Sequence, residues 1–283
     1  MRYQILFIMT LAAIMTASFW ACRGEKKKSS SAILEGKTLV WSDEFDRDGA
    51  PDSDKWNYSI GGNGWGNAEL QNYTDKRENS AVRNGILYIT ARNDHGRWTS
   101  ARLRTQYKAG WKYGYIEVRA KLPKGRGTWP AIWMLPVADK YGGWPRSGEI
   151  DIVEHVGFEQ DRIHTTVHTR AFNHRLNTQK SASSMVKGVS RAFHTYAVEW
   201  TPQWIQWYVD AEPFFRFENS GQGTGDWPFD IPFYLILNVA IGGTWGGEKG
   251  VDPKMQDAVM QVDYVRVYQH QEQETASAPR LHQ

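Results

Sequence analysis

The sequence predicts an all-β sandwich, and three observations predict it. Short runs rich in aromatic and β-branched residues alternate with polar positions, glycine and proline punctuate those runs, and no long stretch carries the apolar period of a helix. The absence of a fixed-period repeat or an internal linker makes one domain the economical reading, bounded at residues 37–270.

The elements follow in chain order. Met1 and Arg2 form a short basic start, residues 5–15 an apolar run, and residues 16–21 the approach to a cleavage site, which together read as an export signal over residues 1–21. The run is too short to span a bilayer stably. Cys22, the only cysteine, excludes an intramolecular disulfide and directly follows Phe19-Trp20-Ala21, a position that resembles a bacterial lipobox with bulky residues where small ones are usual. Acylation of Cys22 would put the protein on a lipid membrane in the cell envelope. Residues 22–36 would then be a polar tether, with Lys26-Lys27-Lys28 near the membrane surface and Ser29-Ser30-Ser31 as spacer. Without acylation the chain would be secreted.

Strand character begins at Lys37. The clearest runs are Ile86 to Thr90, Tyr115 to Arg119, Tyr196 to Trp200 and Val262 to Tyr268. Trp204 to Asp210, followed by Ala211 to Phe217, reads as a hairpin that turns near Asp210-Ala211-Glu212. After Tyr268 the composition turns polar, and residues 271–283 are expected to be a disordered tail.

Charge and composition limit the partner. The formal net charge is +3, from 34 basic and 31 acidic residues with the two signs interspersed, which argues against a nucleic-acid surface and for a neutral ligand. The 14 Trp, 13 Tyr and 11 Phe exceed what one core needs, and flat apolar rings suit the faces of sugars. Some of these rings must also fill the sandwich.

The segment richest in chemistry is Gly148-Glu149-Ile150-Asp151-Ile152-Val153-Glu154-His155. On a regular strand Glu149 and Asp151 share a face while Glu154, five residues on, points away. One extra residue accommodated as a bulge at Ile152-Val153 restores the parity and puts three carboxylates in a row. Four effective strand steps separate the glutamate backbones by about 13 Å, and side chains leaning together bring the carboxyls to roughly 5–6 Å, the spacing of a retaining glycosidase. Three acids on one side are costly in a dry core, so they should line an open cleft. A solvated strand face or a divalent-cation site is the competing reading of the motif alone.

The wider sequence resembles glycoside hydrolase family 16 in its laminarinase-like, bulged form. The resemblance rests on Glu149 to Glu154, Gly64 to Thr74, Trp111 to Gly114, Ala120 to Pro123, Trp129 to Pro136 and Asn238 to Trp245, in the family's order, and it runs from Leu39 to Tyr268. It implies a concanavalin A-like jelly-roll of two curved antiparallel sheets with an open cleft, and retaining endo-hydrolysis of a β-1,3 or mixed β-1,3/1,4-glucan by a monomer. By the same resemblance Glu149 is the nucleophile, Glu154 the general acid/base and Asp151 the assisting carboxylate, with no cofactor for catalysis.

Asn67, Arg102, Trp129, Trp133 and Trp245 are implied as donor-side sugar ligands, and His168 as a histidine near the scissile sugar. Trp129 and Trp133 share strand parity, and Trp144 and Trp245 lie in Gly/Pro-rich stretches where loops can present them to the cleft. His164 and His168 also share parity, but two histidines without a third ligand do not make a zinc site. Glu44 and Asp263 match a structural calcium site found in many members, completed by backbone carbonyls; two unrelated surface acids is the other reading. Two alternatives of function stay open: action on another polysaccharide such as a marine galactan, by hydrolysis or transfer, or glycan binding without catalysis. The complete acid trio favours an enzyme.

Overall fold

The computed structural model describes residues 32–270, so the expected signal over residues 1–21, Cys22 and the expected tail over residues 271–283 lie outside the described residues. Residues 32–35, read above as part of the tether, close a single turn, with Glu35 N–H donating to Ala32 O. From Gly36 onward the described chain is built almost wholly of strands. They are β1 (Lys37–Asp43), β2 (Asn57–Tyr58), β3 (Asn72–Tyr73), β4 (Ser80–Arg83), β5 (Ile86–Asp94), β6 (Arg97–Ser100), β7 (Arg102–Arg104) and β8 (Gly114–Lys121). Then follow β9 (Thr128–Pro136), β10 (Glu149–His155), β11 (Arg162–His168), β12 (Lys180–Met185), β13 (His194–Trp200), β14 (Trp204–Val209), β15 (Glu212–Glu218), β16 (Phe233–Ile241) and β17 (Asp257–His270).

Two sheets form the jelly-roll. The larger carries the path β15-β14-β13-β8-β17-β5-β6-β3, with β1 on β17 and β4 on β5; the smaller runs β12-β11-β10-β9-β16-β7-β2. All pairings are antiparallel except β3 with β6. Alternation along the strands explains the layering. In β9, Pro130, Ile132 and Met134 are buried toward the partner sheet, while Trp129, Ala131, Trp133 and Leu135 line the opposite face. Between the sheets lie side chains such as Leu87, Ile89, Ile116, Val118, Ile150, Val198, Trp207, Leu235 and Val265. Strand β16 is buried along its whole length, because the core covers one face and the floor of a cleft the other.

The hairpin turn is where the sequence places it. Asp210 and Ala211 both have positive φ, 51° and 68°, as a two-residue turn between twisted strands requires. Strand structure continues past Tyr268, where the composition turns polar. β17 continues through Gln269, whose buried amide donates to the carbonyls of Lys112 and Tyr113, and ends at His270.

Candidate active site

The catalytic strand is bulged. Against β11, Asp151 faces Thr166 and Glu154 faces His164, so Ile152 and Val153 together oppose Thr165 alone. Against β9 the register slips at the same place. Breaking the ladder frees carbonyls, and the fold satisfies them: Thr165 Oγ1 donates to Asp151 O at 2.6 Å and to Ile152 O at 3.1 Å. Trp207, reaching across from β14 of the other sheet, donates its indole N–H to Asp151 O at 2.8 Å. The bulge returns Glu154 to the face of Glu149 and Asp151.

All three carboxyls line a cleft of about 770 Å³ on the outer face of the smaller sheet. Glu149 and Glu154 are each held by a donor from a different part of the chain. Trp144, from the loop before β10, donates to Glu149 Oε2 at 2.8 Å, and Trp129 on β9 donates to Glu154 Oε1 at 3.0 Å. His168 Nε2 lies 3.7 Å from Glu149 Oε1 and 3.6 Å from Asp151 Oδ2.

Burial pushes Glu149 up to about 8, aided by the charge of Glu154, and pushes Glu154 up to about 7. Burial and the charges of Glu149 and Glu154 raise Asp151 well above the carboxylate range. At neutral pH the trio therefore does not carry three charges. The donors decide where the negative charge sits. Glu149 takes the Trp144 N–H, feels Arg102 and hydrogen-bonds with Asp151, whereas Glu154 has only the Trp129 N–H. The charge is favoured on Glu149 and the proton on Glu154. Burial depresses His168 to about 4, with His174 adding to the effect, so its ring is neutral.

The remaining aromatic residues brace this arrangement. The guanidinium of Arg102 sits between the rings of Trp65 and Trp133, 4.7 Å from each centroid. Trp133 also donates to Asn238 Oδ1 at 2.7 Å; Asn238 donates to Tyr73, and Tyr73 to Glu69. Asn67 and Gln71 donate to the same Glu69 carboxylate. Trp245 meets Trp129 edge-on at 5.5 Å and His164 at 4.8 Å, and His164 bonds Glu159 at 3.2 Å. The guanidinium of Arg175 lies 4.7 Å over Trp144.

A family model for glycosyl hydrolases family 16 matches residues 67–266. The chain belongs to glycosyl hydrolase family 16. This family-16 chain is 56% identical over 241 residues to a beta-glucanase of Rhodothermus marinus, a match spanning 81% of this chain and 84% of that protein. Its fold superposes on the laminarinase from Rhodothermus marinus with a TM-score of 0.80 at 55% identity, covering 82% of this chain and 97% of that one. It superposes equally, at 45% identity, on a non-specific endo-β-1,3(4)-glucanase co-crystallised with 1,3-β-D-cellotriosyl-glucose; that match covers 84% and 96% of the two chains.

Every residue expected at the site lines the cleft of this family-16 chain: Glu149, Asp151, Glu154, Asn67, Arg102, Trp129, Trp133, Trp144, His168 and Trp245. Sequence reasoning missed Trp65, Glu69, His174, Arg175 and Asn238. Glu69 was within reach, since Glu69, Gln71 and Tyr73 alternate along the stretch that leads into β3, whereas Trp65 sits in the 3-10 turn Gly64–Gly66, where no such alternation marks it. Glu44 and Asp263, the residues expected to hold calcium, each meet a guanidinium. Arg266 binds both oxygens of Glu44, at 3.0 and 2.8 Å, and Arg119 pairs with Asp263, so calcium would have to compete with a guanidinium on each carboxylate. These side chains, each already paired with an arginine, do not fit the expected ion.

Proposed function

We propose that this chain is a retaining endo-β-glucanase that cuts β-1,3 or mixed β-1,3/1,4-glucan by double displacement. The observation that carries the reading is the bulge at Ile152-Val153, which sets Glu149 and Glu154 on one face of β10, each gripped by a separate indole N–H. Glu149, ionised, attacks the anomeric carbon while Glu154 gives its proton to the departing glycosidic oxygen. A covalent glycosyl-enzyme forms, and water activated by Glu154 then releases the sugar with its configuration retained. Asp151, beneath the pair, holds a proton against Glu149 and keeps the trio from carrying three charges.

Internal attack is favoured by the length of the cleft. It is lined from Ser181 on β12 to Arg102 on β7, five interstrand steps or about 24 Å, which accommodates successive sugars of a chain interior. Product analysis on laminarin, barley-type mixed glucan, agarose and carrageenan tests this. A ladder of oligosaccharides from the first or second substrate, with retained anomeric configuration and little early glucose, is expected. Cleavage of a galactan alone would overturn the glucan reading, binding without cleavage would overturn the enzyme reading, and inverted first products would overturn the roles of the glutamates.

We also propose that the protein is exported and held at a membrane by acylated Cys22, acting there as a monomer. The support is the placement of Cys22 directly after an apolar signal and before a basic, serine-rich spacer.

A further inference from the structure

The geometry around His168 points to a second use of the catalytic carboxylates. We propose that Glu149, Asp151 and His168 form a binding site for a borderline divalent cation such as Zn²⁺, and that occupancy of this site blocks the enzyme. The proposal concerns the cleft read above as a glucanase site, but the binding itself does not require that reading.

The distances carry the argument. One ligand atom from each of the three residues lies within 4.8 Å of the others. The imidazole Nε2 is 3.7 Å from Glu149 Oε1 and 3.6 Å from Asp151 Oδ2, too long for hydrogen bonds. In a tetrahedral zinc site, with metal–ligand bonds of about 2.0–2.2 Å, neighbouring ligand atoms stand roughly 3.3–3.6 Å apart. The two distances from His168 therefore need to close by only a few tenths of an ångström, and the Glu149–Asp151 pair, within 4.8 Å, by about 1.5 Å at most to meet one ion. A second observation is independent of the spacing: Asp151 Oδ2 has no hydrogen-bond partner although the residue is only 3% exposed. A buried carboxylate oxygen left in this way, facing an imidazole nitrogen, is a donor set without an acceptor.

The position of the ligands fixes the consequence. They line the cleft, so a fourth coordination position can be taken by water. Glu149 bound to a cation cannot attack the anomeric carbon, and the site is the place that a sugar ring must occupy. Zinc and glucan should then exclude each other. His164, on the same strand, does not contribute, because its ring is engaged by Glu159 and faces Glu154 across the bulge. His174, whose ring lies 5.1 Å from that of His168, stands on the rim and serves as the nearest control.

Chelator-treated protein is titrated with Co²⁺ and followed by visible absorption, then with Zn²⁺ and followed by calorimetry and by hydrolysis of a soluble β-1,3-glucan. Wild type should show an intense tetrahedral cobalt band and bind one Zn²⁺. Inhibition should be competitive with glucan and reversed by chelator. His168→Gln and Asp151→Asn should each abolish the cobalt band and weaken Zn²⁺ binding at least about tenfold, with folding verified by thermal melting. His164→Ala and His174→Ala should bind as wild type does. Absence of a cobalt band and of saturable Zn²⁺ binding at millimolar metal would overturn the site, as would full binding by His168→Gln or loss of it in His164→Ala. Because the absorption and calorimetric readouts need no turnover, a chain that binds zinc but cuts no glucan would refute only the glucanase reading. One that cuts glucan without binding zinc would refute only the metal site.

Discussion

The indole N–H of Trp144 donates to Glu149 Oε2 at 2.8 Å, and Trp129 does the same for Glu154 Oε1 at 3.0 Å. Each catalytic carboxyl thus has its own donor, and the two donors act on opposite limbs of the pH profile. Trp144→Phe keeps the ring but removes the N–H that holds Glu149 down, so the nucleophile should ionise at higher pH. The acid limb of kcat/KM should move up and the rate at slightly acid pH should fall about tenfold or more. Trp129→Phe should instead raise the alkaline limb, since Glu154 stays protonated longer. Identical shifts of the same limb in both variants would show that these indoles do not separate the two roles.

Glu149→Gln should abolish turnover, because nothing else can form the covalent intermediate, yet it should raise stability in alkaline buffer. Burial raises the coupled Glu149–Glu154 pair to about 8 and about 7 in the folded chain, above the roughly 4.3 of an unfolded glutamate, so the pair keeps a shared proton that the charge of Glu149 helps to hold on Glu154. Between those values the folded state binds the extra proton, so stability is fully present below about pH 4 and is lost as pH rises through 8. The Gln variant lacks this loss. Its melting temperature should exceed that of wild type by more at pH 8 than at pH 5, and an equal difference at both would disprove the linkage.

Thr165→Val preserves shape while removing the hydroxyl that satisfies Asp151 O and Ile152 O. Leaving those buried carbonyls short of a donor should cost about 1–3 kcal/mol, readable by denaturant unfolding. Activity should fall as well, because the bulge sets the parity of Glu154. A stable variant with unchanged kcat would mean that Trp207 alone holds the bulge.

Trp65 and Trp133 share Arg102 between them, so their effects should not add. Trp65→Ala and Trp133→Ala should each raise KM more than they lower kcat, through lost stacking worth on the order of 0.5–1.5 kcal/mol per ring. The double variant should lose less than the sum of the two. Strict additivity would show that the sandwich does not position Arg102 for substrate.

Cys22→Ser should release the protein from the membrane fraction or block its maturation. Wild-type protein recovered wholly soluble with a free Cys22 thiol would refute the anchor.

Alternation, turn chemistry and the spacing of the acids were readable from the chain itself. The period-2 runs located the main strands, Asp210-Ala211 located the hairpin, and the five-residue separation of Glu149 and Glu154 demanded a bulge at Ile152-Val153 if both were to act on one substrate. These features are local, set by side-chain period and backbone sterics, so neighbouring residues are enough to specify them.

What closes around those acids was decided by residues far away in the chain. Trp207, 56 positions on from Asp151 and in the other sheet, caps the bulge; Asn238 reaches Tyr73 across 165 positions to fix Trp133. Arg266 and Arg119 take the two carboxylates that the family resemblance offered to calcium. Gln269 and His270 join β17 despite their polarity, because the Gln269 amide finds the carbonyls of Lys112 and Tyr113. A polar side chain carries no sign of which distant donor or acceptor will satisfy it. That choice is made only when the sheets pack and every buried polar group must find a partner, so the sequence determined the strands and the acids, and tertiary structure determined what holds them.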